Sequence, residues 1–435
     1  MRSVRTTWLW AGLWALALGG CENTDDDTAP ADGGAVDASG AGGQPGAGGH
    51  PGPCRVTEGS NQPPTSLDTE ETAAVLLTTG EAGDRVIQIT ALAADDGPDS
   101  GRVQLRCDAL DDLDLASDTT PLELGPVFGL DAGGAMIRAA VDAGGIHVAW
   151  FLLDDPAGAP RRHALVSLPL GEDGCPRGPL PDPPSPPLEV HEDASAFDLI
   201  SAGGQLYLAA DQPHISEAPL GALWLNRLGA DESDRLQVAS SPADGVRLVP
   251  RPDLGRVIDV FASIIPDQAD LIIHARVDTS AARLRRMDAV ESDDADSAIA
   301  RGVLIDAIGI PTEPRPSFLL LDHEDAPLDV WLVDPAGDAA EPLTALAHAP
   351  LRESFGALAW HPALNEVGVA YIAAGGVYLD RYASDGRPRG STLVAAYANP
   401  SEVHFPLLAV AGQEYLVTWL HQSDYRRYGR VVCGP

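Results

Sequence analysis

MIRAAVDAGGIHVAWFLLDDPAGAPRRHALVSLPL, residues Met136 to Leu170, reads as three antiparallel strands joined by tight turns. Within it Ile146, Val148, Trp150 and Leu152 alternate with His147, Ala149, Phe151 and Leu153, so both faces of the middle strand are largely apolar. Such a strand is buried on both sides. Gly144-Gly145 before it and Asp154-Asp155-Pro156-Ala157-Gly158 after it are turn chemistry, because glycine supplies positive φ and proline cannot continue a ladder. A hairpin on each side follows.

Comparable second strands recur at Val86 to Leu92, Ile146 to Leu153, Leu206 to Ala210, Val257 to Ile265, Phe318 to Leu321, Val367 to Ile372 and Tyr415 to Leu420. Their starts lie 48 to 61 residues apart. A repeat of that length holding several short strands predicts an all-β fold, a β-propeller of about seven four-stranded blades. The alternative is a tandem of β-sandwich domains, but no composition break separates two cores, and a single ring is the expectation. Taken in order, the blades span Thr72 to Leu115, Ala135 to Leu170, Ala196 to Ser241, Gly245 to Val290, Arg301 to His348, Ser354 to Tyr397 and Val403 to Cys433. The last shows only three strands, so it needs one supplied by residues after Cys54. Between the second and third units PRGPLPDPPSPP, residues 176 to 187, holds seven prolines and reads as a stiff, extended connector across the rim.

The chain has 435 residues, 64 Asp plus Glu, and 28 basic residues that are all arginine. Arg2 and Arg5 precede the apolar run Trp8 to Leu18, which is too short to span a bilayer but has the length of a signal-peptide core. Without residues 1 to 20 the net charge is −38, which argues against nucleic acid or an anionic membrane surface as a direct partner. Leu18-Gly19-Gly20-Cys21 follows the apolar run. This resembles the bacterial lipobox, in which small residues before a cysteine allow cleavage once its thiol has been acylated. The resemblance implies a lipoprotein signal peptide over 1–20 and a lipid, such as palmitate, on Cys21. Residues 21 to 53 are rich in Gly, Ala and Asp without hydrophobic periodicity, and are expected to form a disordered tether ahead of a propeller domain over 54–435. A flexible coil of that length has a span of roughly 30 Å and a reach of about 110 Å. Glu22 stands where an inner-membrane retention signal would place Asp, which points to the outer membrane of the cell envelope.

Cys54, Cys107, Cys175 and Cys433 lie beyond the export signal, where disulfides are permitted, and allow three connectivities. A propeller that pairs strands from its two termini in one blade would be locked by Cys54 with Cys433, leaving Cys107 with Cys175 to tie neighbouring blades. No C-x-x-C spacing suggests a metal site instead.

GQEYLVTWLHQSDYRRYGRVV, residues 412 to 432, resembles the repeat of large secreted myxobacterial-type proteins, a Gly turn leading into Tyr-Leu-Val-x-Trp and then a strand of the Tyr-Gly-Arg-Val kind. WHPALNEVGVAYIAAGGVYLDRYASDGRPRG, residues 360 to 390, is similar to that repeat and distantly to the TolB-type propeller unit, whose Trp-Ser-Pro-Asp-Gly turn is replaced here by Trp360-His361-Pro362. The resemblance implies a propeller in an envelope or extracellular setting and carries no active site.

No G-x-S-x-G, H-E-x-x-H, P-loop or dinucleotide Gly-rich turn is present. His147 and His163 are expected to face each other across two strands as a structural pair. Acidic clusters stand at Asp111-Asp112-Leu113-Asp114, Asp293-Asp294-Ala295-Asp296 and Asp322-His323-Glu324-Asp325. They make calcium the nearest candidate cofactor, but none has D-x-D-x-D-G spacing, and no cofactor is the expectation. Arg283-Leu284-Arg285-Arg286, and Arg426-Arg427 with Arg430, read as basic islands on outer strands. Trp150, Trp224, Trp331, Trp360 and Trp419 read as packing between blades. The functional expectation is a monomeric, lipid-anchored binding or scaffold module presenting its rim or channel mouth to a protein or glycan. The alternative is an exported polysaccharide hydrolase or lyase with carboxylates at the channel mouth.

Overall fold

The computed structural model describes residues 54–59, 70–80, 83–93, 101–113, 121–127, 137–152, 162–178, 185–189, 196–212, 222–229, 234–241, 243–251, 254–264, 271–281, 283–287, 298–323, 328–336, 339–343, 345–351, 355–421 and 425–434. All fall in the unit Gly52–Pro435. The signal peptide, Cys21 and the tether lie outside the described residues.

The strands form seven antiparallel sheets in which chain order is also spatial order, the arrangement of a seven-bladed β-propeller. The innermost strands are Glu70–Gly80, Ile137–Asp142, Phe197–Ala202, Ala243–Arg251, Val303–Gly309, Gly356–His361 and Val403–Ala411. Each neighbours the next, and the last neighbours the first, so together they surround a central tunnel. The seven second strands fall where the repeat places them: Gly83–Ala93, Gly145–Leu152, Gln205–Gln212, Val257–Ile264, Ser317–Asp322, Glu366–Ala373 and Glu414–His421. Those of blades four and six are buried along their entire length, as two apolar faces require. The turn into Gly145–Leu152 shows why glycine is needed there. Gly145 has φ 145°, and a Cβ on it would lie 2.1 Å from the Leu168 carbonyl oxygen.

Cores lie between blades, not within them. Ile87, Ile89, Val103 and Leu105 of blade one interdigitate with Ile146, Val148, Trp150 and Val166 of blade two. Tyr415, Val417 and Trp419 of blade seven pack on Ala370, Ile372 and Leu379 of blade six. Trp150 and Trp419 have no exposed surface. Each removes about 200 Å² from water, worth about 5 kcal/mol at about 25 cal/mol per Å². Because every face needs a neighbouring blade to cover it, the ring must close.

Closure uses both chain ends. Cys54–Gly59 forms the outermost strand of blade seven, antiparallel to Tyr425–Cys433, with Cys54 opposite Cys433 and Gly59 opposite Tyr428. Disulfides join Cys54 to Cys433 and Cys107 to Cys175. The second ties the third strand of blade one to the segment after Arg162–Leu168 in blade two. Thr78 and Arg85 reach the same segment, donating to the carbonyls of Gly174 and Asp173 at 2.7 and 3.0 Å.

Three expectations need correction. The proline-rich stretch is not all connector, because Ser185–Glu189 pairs with Arg162–Leu168 as the fourth strand of blade two. Pro186 and Pro187 sit in it because an edge strand needs no donor on its outer side. Arg427 and Arg430 lie on a strand covered by Cys54–Gly59, so that basic island is not at an edge; Arg285–Arg286 does form the outer strand of blade four. The histidine pair does not form either. The register sets His147 opposite Ser167 and His163 opposite Phe151, since an antiparallel hairpin pairs early residues with late ones.

Candidate functional site

Four innermost strands each place a charged residue at a comparable level of the tunnel wall. They are Arg138 of blade two, Asp198 of blade three, Arg247 of blade four and Asp306 of blade five. Strand alternation turns each of them toward the following blade, while Ile137, Phe197, Val246 and Leu304 beside them enter the interblade cores. The result is a relay. Arg138 Nε lies 3.5 Å from Asp198 Oδ1, and Asp198 Oδ2 accepts the Leu248 backbone N–H of blade four at 2.7 Å. Arg247 Nε donates to Asp306 Oδ1 at 3.1 Å, and Asp306 Oδ2 accepts the Leu358 N–H of blade six at 2.8 Å. Arg247 also donates to the Ile305 carbonyl. Four blade boundaries are thereby bridged at one level.

Burial and the neighbouring charges perturb two of these groups. Burial pulls the Arg138 guanidinium down to about 10; Arg247 adds to the fall, while Asp198 and Asp306 oppose it. Burial likewise raises the Asp198 carboxyl, against the pull of Arg247 and Arg138. The Arg138 side chain keeps 23% exposure. Its Nε has no hydrogen-bond partner.

At the corresponding level blade six has Ala357, paired with Ala370, and blade seven has Leu407, paired with Thr418. This half of the wall is apolar. Two residues before Ala357, about 6.6 Å nearer the mouth where the inner strands begin, stands Phe355. Its ring meets that of Phe405 on the inner strand of blade seven, with centroids 4.6 Å apart. Phe355 is 44% exposed. Phe405 occupies a bulge between His404 and Leu407 and has φ 47°, a left-handed conformation that a bulky side chain adopts only against steric resistance. The inner strands thus carry a linked set of charges on blades two to five and an aromatic pair on blades six and seven.

At the other end of the inner strands Asp142 accepts the Gly144 N–H at 2.7 Å, His147 Nε2 at 3.2 Å and the Ser201 hydroxyl of blade three. Burial would raise its carboxyl, but the Ser201, Gly144 and His147 hydrogen bonds outweigh that and lower it. His147 Nδ1 lies 2.8 Å from Ser167 Oγ, so this histidine serves a turn. A second buried cluster centres on Asp259, between blades four and five. It takes Arg251 at 3.0 Å, Arg276 at 2.7 and 3.0 Å and His274 at 3.1 Å. Burial pushes its carboxyl up, yet the hydrogen bonds from His274 and Arg276 prevail and hold it at about 2. Arg251 and Arg276 also donate to the Arg315 and Pro335 carbonyls, so this cluster is an interblade clamp.

The residues singled out in sequence fall elsewhere. Asp111 pairs with Arg430 of blade seven at 3.2 Å, while Asp114, Asp293 to Asp296, Glu324 and Asp325 lie outside the described residues. Among the described residues no three His, Cys, Asp or Glu side chains gather as metal ligands. The Cys107 and Cys175 pair binds blades, and Cys54 and Cys433 close the ring. Arg138, Asp198, Arg247, Asp306, Phe355 and Phe405 escaped the sequence reading. The available signal was a lone charge inside the apolar first strand of successive units, as in IRAAVD, FDLISA and VLIDAIG.

Fold and site together define a seven-bladed β-propeller whose inner strands carry a linked set of buried charges. No protein-family model and no curated protein sequence matches the chain. Among solved structures it is similar to apo AztD from Citrobacter koseri, at 12% identity and TM-score 0.44, covering 88% of this chain and 98% of that one. TolB from Acinetobacter baumannii is also similar, at 13% identity and TM-score 0.34, covering 80% of this chain and 79% of that one.

Proposed function

We propose that this protein is a lipoprotein of the bacterial cell envelope, held at the outer membrane through a lipid on Cys21, whose propeller is a binding module that receives its partner at the tunnel mouth. The observation that supports binding there is the linked set of charges Arg138, Asp198, Arg247 and Asp306 on adjacent inner strands. Hydrogen bonds to three neighbouring strands hold these charges in place before any ligand arrives. A preformed, part-buried set of donors and acceptors beside an apolar wall is the usual construction of a binding pocket. The order of the N-terminus, from Arg2 and Arg5 through the apolar run to Gly20-Cys21, supports the address.

A two-part experiment tests the reading. Cells producing the wild type and Cys21→Ser are fractionated, and the purified proteins are screened against immobilised peptides and glycans. The wild type is expected in membranes and the variant in the soluble fraction. At least one ligand is expected whose affinity falls tenfold or more in Phe405→Ala and stays unchanged in Leu254→Ala, which alters an exposed leucine. Binding confined to variants of the outer rim, or a wild type that stays soluble, contradicts the reading.

A further inference from the structure

Trp360-His361-Pro362, where this chain departs from the propeller repeat it resembles, ends the inner strand of blade six and has no part in the binding reading above. We infer that His361 is an acid-sensitive latch. As a neutral imidazole it holds the turn that follows and ties blade six to blades five and seven; taking up a proton releases that turn.

The tautomer comes first. Gly356–His361 turns through residues 362 to 365 into Glu366–Ala373, with His361 opposite Glu366. Inside the turn the Leu364 backbone N–H donates to His361 Nδ1 at 3.3 Å. An amide N–H can only donate, so Nδ1 carries the lone pair and the one ring proton sits on Nε2. A second proton has only Nδ1 to go to, where it would meet the Leu364 N–H donor against donor. The turn's hydrogen bond cannot survive it.

Burial makes the charged form worse. His361 has no exposed surface, and its Nε2 has no partner in hydrogen-bonding geometry. The ring packs edge-on against the Tyr415 ring of blade seven, with centroids 4.8 Å apart. An imidazolium in that place would be a desolvated cation with no acceptor in line at either nitrogen. His147 and His274 differ, because each has a carboxylate at its Nε2, Asp142 at 3.2 Å and Asp259 at 3.1 Å. The charges around His361 are already committed. Arg381 contacts Glu366 at 3.3 Å and the Tyr415 hydroxyl donates to it at 3.1 Å, while Arg381 itself repels a second cation. On blade seven Glu414, beside Tyr415, is engaged by Arg430 at 2.7 Å. Burial accordingly lowers the His361 imidazole from its ordinary value; the Gln413 backbone and Glu366 oppose the fall, and Arg381 adds to it.

The turn also reaches the blade on the other side. Asn365, next to Leu364, has φ 51°, and its Oδ1 accepts the Thr312 hydroxyl at 2.8 Å from the corresponding turn of blade five. Hydrating a protonated ring therefore undoes the Leu364 bond, the Tyr415 contact and the setting of Asn365 together. A base whose value is lowered by folding stabilises fully above its unfolded value of 6.5, and that stabilisation is lost as pH falls below it. Opening takes up one proton, so the open population rises about tenfold per pH unit over that range.

The test uses the mature protein in detergent micelles. Amide exchange, corrected for its intrinsic pH dependence, is read by mass spectrometry near pH 7.5 and near pH 5.5. Protection of the amides of residues 363 to 366 is expected to fall about tenfold at the lower pH, while the buried strand Val257–Ile264 keeps its protection. In His361→Gln the side-chain oxygen can accept the Leu364 N–H but takes no proton, and protection is expected to be the same at both pH values. If that variant does not fold, exchange of the His361 C2–H in the wild type measures proton uptake directly, with a midpoint expected below 6.5. Unchanged protection in the wild type overturns the latch, as does a loss that persists in His361→Gln. A loss shared by Val257–Ile264, or a C2–H midpoint at or above 6.5, overturns it equally. All four results leave the binding reading standing.

Discussion

Removing the covalent closure of the ring, by replacing Cys54 and Cys433 with alanine, tests whether this chain is held shut at the ends as the topology requires. The two cysteines are 379 residues apart in sequence and directly opposite in blade seven. Closing a loop of that size in the unfolded chain removes about 20 cal/mol/K, or about 6 kcal/mol at 25 °C, so its loss lowers stability by up to that amount. The Cys107–Cys175 bridge spans 68 residues and gives about 4 kcal/mol by the same relation. A propeller of about 380 residues unfolds with an entropy near 0.8 kcal/mol/K, so the two losses correspond to falls in Tm of about 7 °C and about 5 °C. Differential scanning calorimetry of the wild type and the two double variants measures both. Hydrogen exchange adds a local readout, because amides of Cys54–Gly59 should lose protection in the first variant and keep it in the second. An unchanged Tm for the first variant, or a larger fall for the second, would refute the argument that the long closure dominates.

Other residues give sharper local tests. Asp259→Asn leaves the buried Arg251 and the Arg276 guanidinium without their counter-charge and should cost about 3–5 kcal/mol by denaturant titration at neutral pH. The folded-state pKa of Asp259 is about 2, below its unfolded value of 3.8. Its stabilisation is therefore complete above pH 4 and is lost as pH falls toward 2. About 2 kcal/mol of the wild type's acid destabilisation should be missing in the variant, and identical acid limbs would contradict this. Gly376→Ala sets a Cβ 1.9 Å from the Ala395 carbonyl oxygen at φ 150°, and should lower the yield of folded protein sharply, read by near-ultraviolet circular dichroism. Tyr415→Phe removes the 3.1 Å hydrogen bond to buried Glu366, which Arg381 also contacts at 3.3 Å, and should destabilise by about 1–3 kcal/mol in urea.

Much of the ring is legible in the sequence because it is written in period-two patterns. The second strands declare themselves through runs apolar on both faces, as in VGVAYI of blade six, bounded by glycine turns. Outer strands are harder. Ser185–Glu189 contains Pro186 and Pro187 and escapes a propensity reading, because an edge strand makes ladder bonds on one side only. The charged set and the aromatic pair are illegible for a different reason. Arg138 and Asp198 are 60 residues apart, and Phe355 and Phe405 are 50 apart, so their meeting depends on the register between blades. Nothing local fixes that register. His147 shows the converse: its alternation is readable, but its partner is set by hairpin register and proves to be Ser167.

The most direct test of a closed propeller tethered by lipid is the intact mass of the protein purified from membranes, taken before and after reduction with alkylation. The account predicts a chain beginning at Cys21, heavier by a diacylglyceryl group with or without a third acyl chain, whose four remaining cysteines are alkylated only after reduction. A chain that retains residues 1 to 20 or carries no acyl group, or thiols that react before reduction, would contradict it.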